Sequence, residues 1–254
     1  LVEFRFEPSQ EWDLTMPGRL HGELRETYPG KPRQQDVVQA SLVAQQGQAL
    51  NFAVHQGLAK VQLFTDDATR LVAIGPDVLS VHVLRPYQRE EAASGWDEFR
   101  PRIVEALSAY WNVAKPSGVL RVGLRYIDKV VIPELSVEVA RYLKAAPPSV
   151  EGLPEQLGGF VGRVEYVYPD NVRLVVSHAS VEASEDCVAF LMDIDLIWQS
   201  TKAVDIEAAL GVADDLRARE RNVFEALITD EARSLFDATR ASDHPANPEP
   251  NRVL

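Results

Sequence analysis

The sequence predicts an α+β fold of internally duplicated βαβββα units, with antiparallel sheets each covered by a long amphipathic helix. Three observations lead there. Runs such as residues 2–6 and 78–84 alternate apolar and polar side chains at the period of a half-buried strand. Residues 94–110 instead repeat apolar side chains at three- and four-residue spacing, the mark of a helix lying on a core. The order strand, short helix, three-strand meander, long helix over residues 2–112 then returns over residues 119–236. The expected organisation is a first half over 1–114, a second over 119–240 and a polar tail over 241–254, with the halves forming one compact unit.

Val2-Glu3-Phe4-Arg5-Phe6 opens the first half as a strand. A helix over 13–28 follows, with Leu14, Leu20 and Leu24 available for one face and Tyr28-Pro29-Gly30 as its stop. Strands are expected over 36–45, over 60–73 with a turn near Asp66-Asp67, and over 78–84; the middle stretch reads as one bent hairpin or as two strands. Arg85-Pro86-Tyr87 ends the last of them. In the helix that follows, Ser94 suits the N-cap and Asp97-Glu98 suit the first turn, while Trp96, Phe99, Ile103, Leu107 and Tyr110 form the apolar stripe. Trp111 falls off that stripe, as core or as an exposed anchor for a partner.

Lys115-Pro116-Ser117-Gly118 breaks the chain between the halves. A long strand is expected over 119–132, a short helix over 137–144 and a Pro- and Gly-rich excursion over 145–159. Strands over 160–167 and 173–178 flank the turn Tyr168-Pro169-Asp170-Asn171, and a third strand covers 188–198. Helices over 205–210 and 214–227 follow, and Thr229-Asp230-Glu231 caps a short last helix to Phe236. This element order compares with the duplicated saddle of the TATA-binding protein, in topology alone.

Composition narrows the function classes. The formal charge of −12 argues against a general polyanion binder, so nucleic acid is not an expected partner. No apolar run approaches the ~20 residues that span a bilayer, so no membrane partner is expected. The chain opens on Leu1 without the basic and hydrophobic regions of a secretion signal, and Cys187 is its single cysteine. A cytoplasmic protein with a buried, inert Cys187 thiol is expected.

The sharpest chemical pattern is Asp193-Ile194-Asp195. Residues two apart on a strand share a face, so both carboxylates project together. Arg121 and Arg125 share a face of the long strand, with Lys129 further along. Three readings follow: an ion-pair ladder between neighbouring strands, an anion-binding groove lined by the arginines, or a divalent-metal pair for phosphoryl or nucleotidyl transfer. Arg85 stands at the rim as ligand contact or as simple strand terminator. The five histidines, His21, His55, His82, His178 and His244, have no metal-ligand spacing, and His82 is placed to join the charged sheet face. Gly-x-Ser-x-Gly, P-loop and Gly-x-Gly-x-x-Gly patterns are missing.

Arg85-Pro86-Tyr87, Trp96-x-x-Phe99, the strand from Arg121 through Leu124-Arg125-Tyr126-Ile127-Asp128 to Pro133, Asp193-Ile194-Asp195 and Phe224-Glu225-x-x-Ile228-Thr229 together resemble a sporadically distributed, uncharacterised bacterial protein family of roughly this length. The resemblance covers nearly the whole chain, departs at Asp128, where that family commonly carries Asn, and implies a bacterial source and an α+β fold but no activity. It also suits an accessory or defence-type gene cluster whose products act together.

The expectation is therefore a non-catalytic protein that binds a partner protein, encoded nearby, or a small anionic ligand. The face carrying Arg85, Arg121, Arg125, Lys129, Asp193 and Asp195 would do the binding, without cofactor. The alternative is a metal-dependent enzyme acting on a nucleotide or phosphate ester through Asp193 and Asp195.

Overall fold

The computed structural model describes residues 1–8, 11–43, 51–84, 95–147, 150–154, 157–183 and 186–235. Arg85, Pro86, Tyr87, Ser94, Phe236 and the tail from Ala241 lie outside them. The elements are β1 (Val2–Glu7), α1 (Met16–Leu24), β2 (Arg33–Val43), β3 (Asn51–Phe64), β4 (Arg70–Gly75), β5 (Val78–Val83), α2 (Trp96–Ala114), β6 (Gly118–Ile132), β7 (Val161–Val167), β8 (Val172–Val181), β9 (Val188–Val204) and α3 (Ile206–Leu227). A 3-10 turn occupies Val139–Arg141, and a short helix covers residues 230–235.

The expected pair of duplicated sheets is corrected by one antiparallel sheet of nine strands, ordered β2-β3-β4-β5-β1-β6-β9-β8-β7. The join is β1 to β6, antiparallel from Val2↔Leu124 to Glu7↔Gly118 with a shift between Arg5 and Phe6. Pairing those edges satisfies two rows of backbone N–H and C=O groups that separate sheets would leave bare. The element orders also differ. Residues 60–73 contain the end of β3, a turn and the start of β4, because Asp67 accepts hydrogen bonds from the Thr65 and Thr69 hydroxyls at 2.7 and 2.8 Å and closes the turn. The helix expected over 137–144 shrinks to the single 3-10 turn. Ile206–Leu227 form one helix rather than two.

Two compact units are present, each discontinuous in sequence. The first holds Leu1–Tyr126, Tyr166–Leu174 and Asp195–Arg217. Its core takes Val2, Phe4 and Phe6 from β1, Leu79 and Val81 from β5, and Phe99, Ile103, Leu107 and Tyr110 from the α2 stripe. Phe6 stacks on Tyr110 at 4.3 Å, and the Tyr110 hydroxyl donates to the Gly75 carbonyl at 2.8 Å, so the one polar atom on that ring is satisfied inside. Trp111 is half-buried with its ring edge-on to Phe6 at 6.5 Å. In α1 the buried face is Met16, Leu20 and Leu24, and Leu14 stands almost fully exposed ahead of the helix. Gly95 rather than Ser94 occupies the N-cap of α2. Asp214 of α3 accepts a bidentate pair from Arg100 at 2.8 Å and a bond from the Trp96 indole at 3.0 Å, tying α3 to α2.

The second unit holds Ile127–Glu165, Val175–Ile194 and Ala218–Leu254. Val130, Ile132, Phe190, Met192, Ile194 and Ile228 lie in its core. Thr229 caps the last helix as the sequence suggests: its hydroxyl accepts the Ala232 N–H at 3.2 Å and donates to the Arg141 carbonyl at 2.5 Å. The β7–β8 hairpin forms where Tyr168–Asn171 predicts it, with Asn171 at φ 63°. Cys187 is half-buried rather than buried.

Candidate functional site

Strand alternation builds the site. Because Val2, Phe4 and Phe6 face the core, Glu3 and Arg5 project from the other face of β1. Register then sets their neighbours. Glu3 lies between Ser80 of β5 and Gly123 of β6, and Arg5 lies between Val78 and Arg121. Ser80 in turn pairs with Ala73 of β4, which pairs with Gln62 of β3. The row through Glu3 is thus Gln62, Ala73, Ser80, Glu3, Gly123, with the small residues Ser80 and Gly123 on either side of the carboxylate. Long basic side chains from the next row reach over them.

Three cations converge on that carboxylate. Glu3 Oε1 accepts from Arg121 Nη1 at 2.6 Å and from Arg5 Nε at 3.1 Å, while Lys60 Nζ stands 3.4 Å from Oε2. Arg5 also reaches Asp77 at 3.5 Å. The Arg121 guanidinium lies over Gly123, 3.5 Å from where a Cβ there would stand, an ordinary contact distance. Burial alone would raise the Glu3 pKa, but Arg5, Lys60 and Arg121 together hold it below the ordinary carboxylate range. Glu3 therefore stays ionised and fixes three cations in one place.

His82 sits on the same face, its Nε2 2.9 Å from the Ser80 hydroxyl. Burial, reinforced by charges that include Lys60, pushes its pKa down to about 4. The imidazole is neutral at pH 7 and serves as a hydrogen-bond partner, not a cation. At the β3 end of the face, the Arg33 guanidinium lies 4.6 Å over the Phe64 ring.

The residues singled out from the sequence are spread along the chain's two units. Arg121 is in the cluster, half-buried, and its carboxylate partner is Glu3 of β1. Arg125 is on the same face of β6, and its backbone N–H donates to the Leu1 carbonyl at 2.9 Å. Lys129, exposed and in the second unit, donates to the Glu182 carbonyl at 3.2 Å. Asp193 and Asp195 are half-buried and alternate with buried Met192, Ile194 and Leu196, as strand periodicity predicts. Arg85 lies outside the described residues. β9 adjoins β6 in the sheet, the neighbourhood that the ion-pair ladder requires. Among the described residues, no group of three or more His, Cys, Asp or Glu side chains is placed to hold a metal ion.

Sequence reasoning missed Glu3, Arg5 and Lys60. The alternation of β1 already put Glu3 and Arg5 on one face. What was lacking was the strand order, because nothing local announces that β1 lies between β5 and β6. No protein-family model, curated protein or solved structure matches this chain.

Proposed function

We propose that this protein is a non-catalytic binding protein that takes a small carboxylate or phosphate ligand at the half-buried cluster of Glu3, Arg5, Lys60 and Arg121 on the sheet face. The observation that carries this reading is a concentration of positive charge in a chain of net charge −12. Three cations share one carboxylate, and Glu3 and Asp77 together leave one charge of excess (3 − 2 = 1). Arg121 spends one N–H on Glu3, and a guanidinium has further donors in a planar fork suited to carboxylate or phosphate. Glu3 acts as the placeholder that keeps the cations assembled when no ligand is bound. A low-dielectric, half-buried setting strengthens each contact that an anion makes there.

Titration calorimetry with inorganic phosphate and with succinate, at low ionic strength, tests the reading. Binding is expected for the native chain and should weaken by about tenfold or more in Arg121→Ala and in Lys60→Ala, the loss of one charge-assisted hydrogen bond. Glu3→Gln should bind more tightly, because it removes the competing carboxylate. Equal affinities across all four proteins, or no heat from the native chain, would remove the proposal.

A further inference from the structure

Beside the Glu3 cluster stands an imidazole that contributes no charge to it. His82 follows Ser80 by two residues on β5, and Ser80 pairs with Glu3, so the ring stands one row along the sheet from the carboxylate. Its Nε2 is 2.9 Å from the Ser80 hydroxyl. The charged groups that act on it are Glu3 of β1, the Leu1 amino group just ahead of β1, and Lys60 of β3. From β4 its cross-strand partner is the apolar Leu71. Burial comes first in keeping the ring neutral, and the two cations add to it; Glu3 alone works the other way.

A bound ligand changes that balance by an amount set by its charge. The three cations Arg5, Lys60 and Arg121 against the two carboxylates Glu3 and Asp77 leave one positive charge over. A monoanion cancels that excess. A dianion leaves one negative charge uncompensated in a half-buried place, where such a charge is costly. A proton on His82 supplies the missing positive charge. Glu3, the other group in reach that could take a proton, is held ionised by Arg121 at 2.6 Å, Arg5 at 3.1 Å and Lys60 at 3.4 Å.

Building on the anion-binding reading above, we propose that the ligand of this site is a small dianion, and that it binds together with a proton on His82. The imidazolium becomes the fourth cation of the site. Ligand and proton then reinforce each other, since each favours the state that the other prefers. At two strand spacings, roughly 10 Å, and an effective dielectric of about 20, a dianion raises the His82 pKa from about 4 toward about 6. A monoanion moves it about half as far.

Titration calorimetry at fixed ionic strength with sulfate and with nitrate, whose charges are constant between pH 7 and pH 5, tests this. Sulfate affinity of the native chain should rise about tenfold from pH 7 to pH 5, and nitrate affinity about twofold. In His82→Gln the sulfate affinity should be flat over this range, while His21→Gln on α1 should keep the native rise. The His82 ring resonances of the native chain should titrate at higher pH with saturating sulfate than without it, a readout that needs no variant. Sulfate binding that ignores pH, a rise that survives in His82→Gln, or a ring whose titration sulfate leaves in place overturns the coupling and spares the anion site. A native chain that binds neither anion at either pH removes both.

Discussion

Glu3 and His82 show how one face of a sheet sets the behaviour of single residues. Both have folded pKa values below their ordinary ones, Glu3 through its three cations and His82 through burial. The signs are the same but the pH windows differ. Neutral His82 contributes stability above about pH 6.5, and that contribution is lost as protons bind the unfolded chain between 6.5 and the folded pKa of about 4. The Glu3 contribution is complete above the ordinary carboxylate pKa near 4.3 and is lost as pH falls through its lower folded value. Urea unfolding between pH 7 and 5 should therefore show a decline on the order of 2 kcal/mol that is absent from His82→Gln. The His82 ring resonances should remain those of a neutral imidazole at pH 6. A ring titrating near 6.5 would contradict the burial argument. Of these two residues, His82 was legible in the sequence through its alternation with Val81 and Val83, whereas the partners of Glu3 were not.

At the scale of elements, the strong periodicities carried over into structure. The α2 stripe is buried at Phe99, Ile103, Leu107 and Tyr110, and Pro101 is accommodated near the helix start. Elements with weak signals shifted: the 137–144 helix became one turn, and the buried start of α1 is Met16, not Leu14. Close approach between elements is invisible locally but decides which glycines matter. A Cβ on Gly118 of β6 would stand 2.6 Å from Ala203 Cβ and 2.9 Å from the Val204 carbonyl of β9. Gly22 in α1 has open space around its missing side chain. Gly118→Ala is expected to cost about 1–3 kcal/mol by overpacking. Gly22→Ala should instead add about 0.5–1 kcal/mol through helix propensity. Chemical denaturation of the two variants checks the contrast, and equal midpoints would refute the packing argument at Gly118.

For the whole molecule, the net charge of −12 and the local cation cluster act at different ranges. Long-range repulsion governs the approach of a polyanion, while a small anion inside a Debye length of about 8–10 Å responds to Arg5, Lys60 and Arg121. Duplex DNA is therefore expected to show no retardation by this protein in gel shift at physiological salt, under conditions where phosphate binds. A salt-sensitive DNA complex would show that the acidic surface does not control access. No helix among the described residues is long and apolar enough to cross a membrane.

The sequence by itself determined the elements with clear period: the alternating strands β1 and β5, the α2 stripe, the turn at Tyr168–Asn171 and the Thr229 cap. These depend on side chains a few positions apart, and such neighbours are written next to one another in the chain. Only the tertiary structure decided that β1 lies between β5 and β6, that one sheet replaces two, and that Glu3 gathers Arg5, Lys60 and Arg121. Those outcomes rest on hydrogen-bond pairing between strand edges far apart in sequence. Every backbone offers the same donors and acceptors, so the choice of partner is made by packing across the whole sheet.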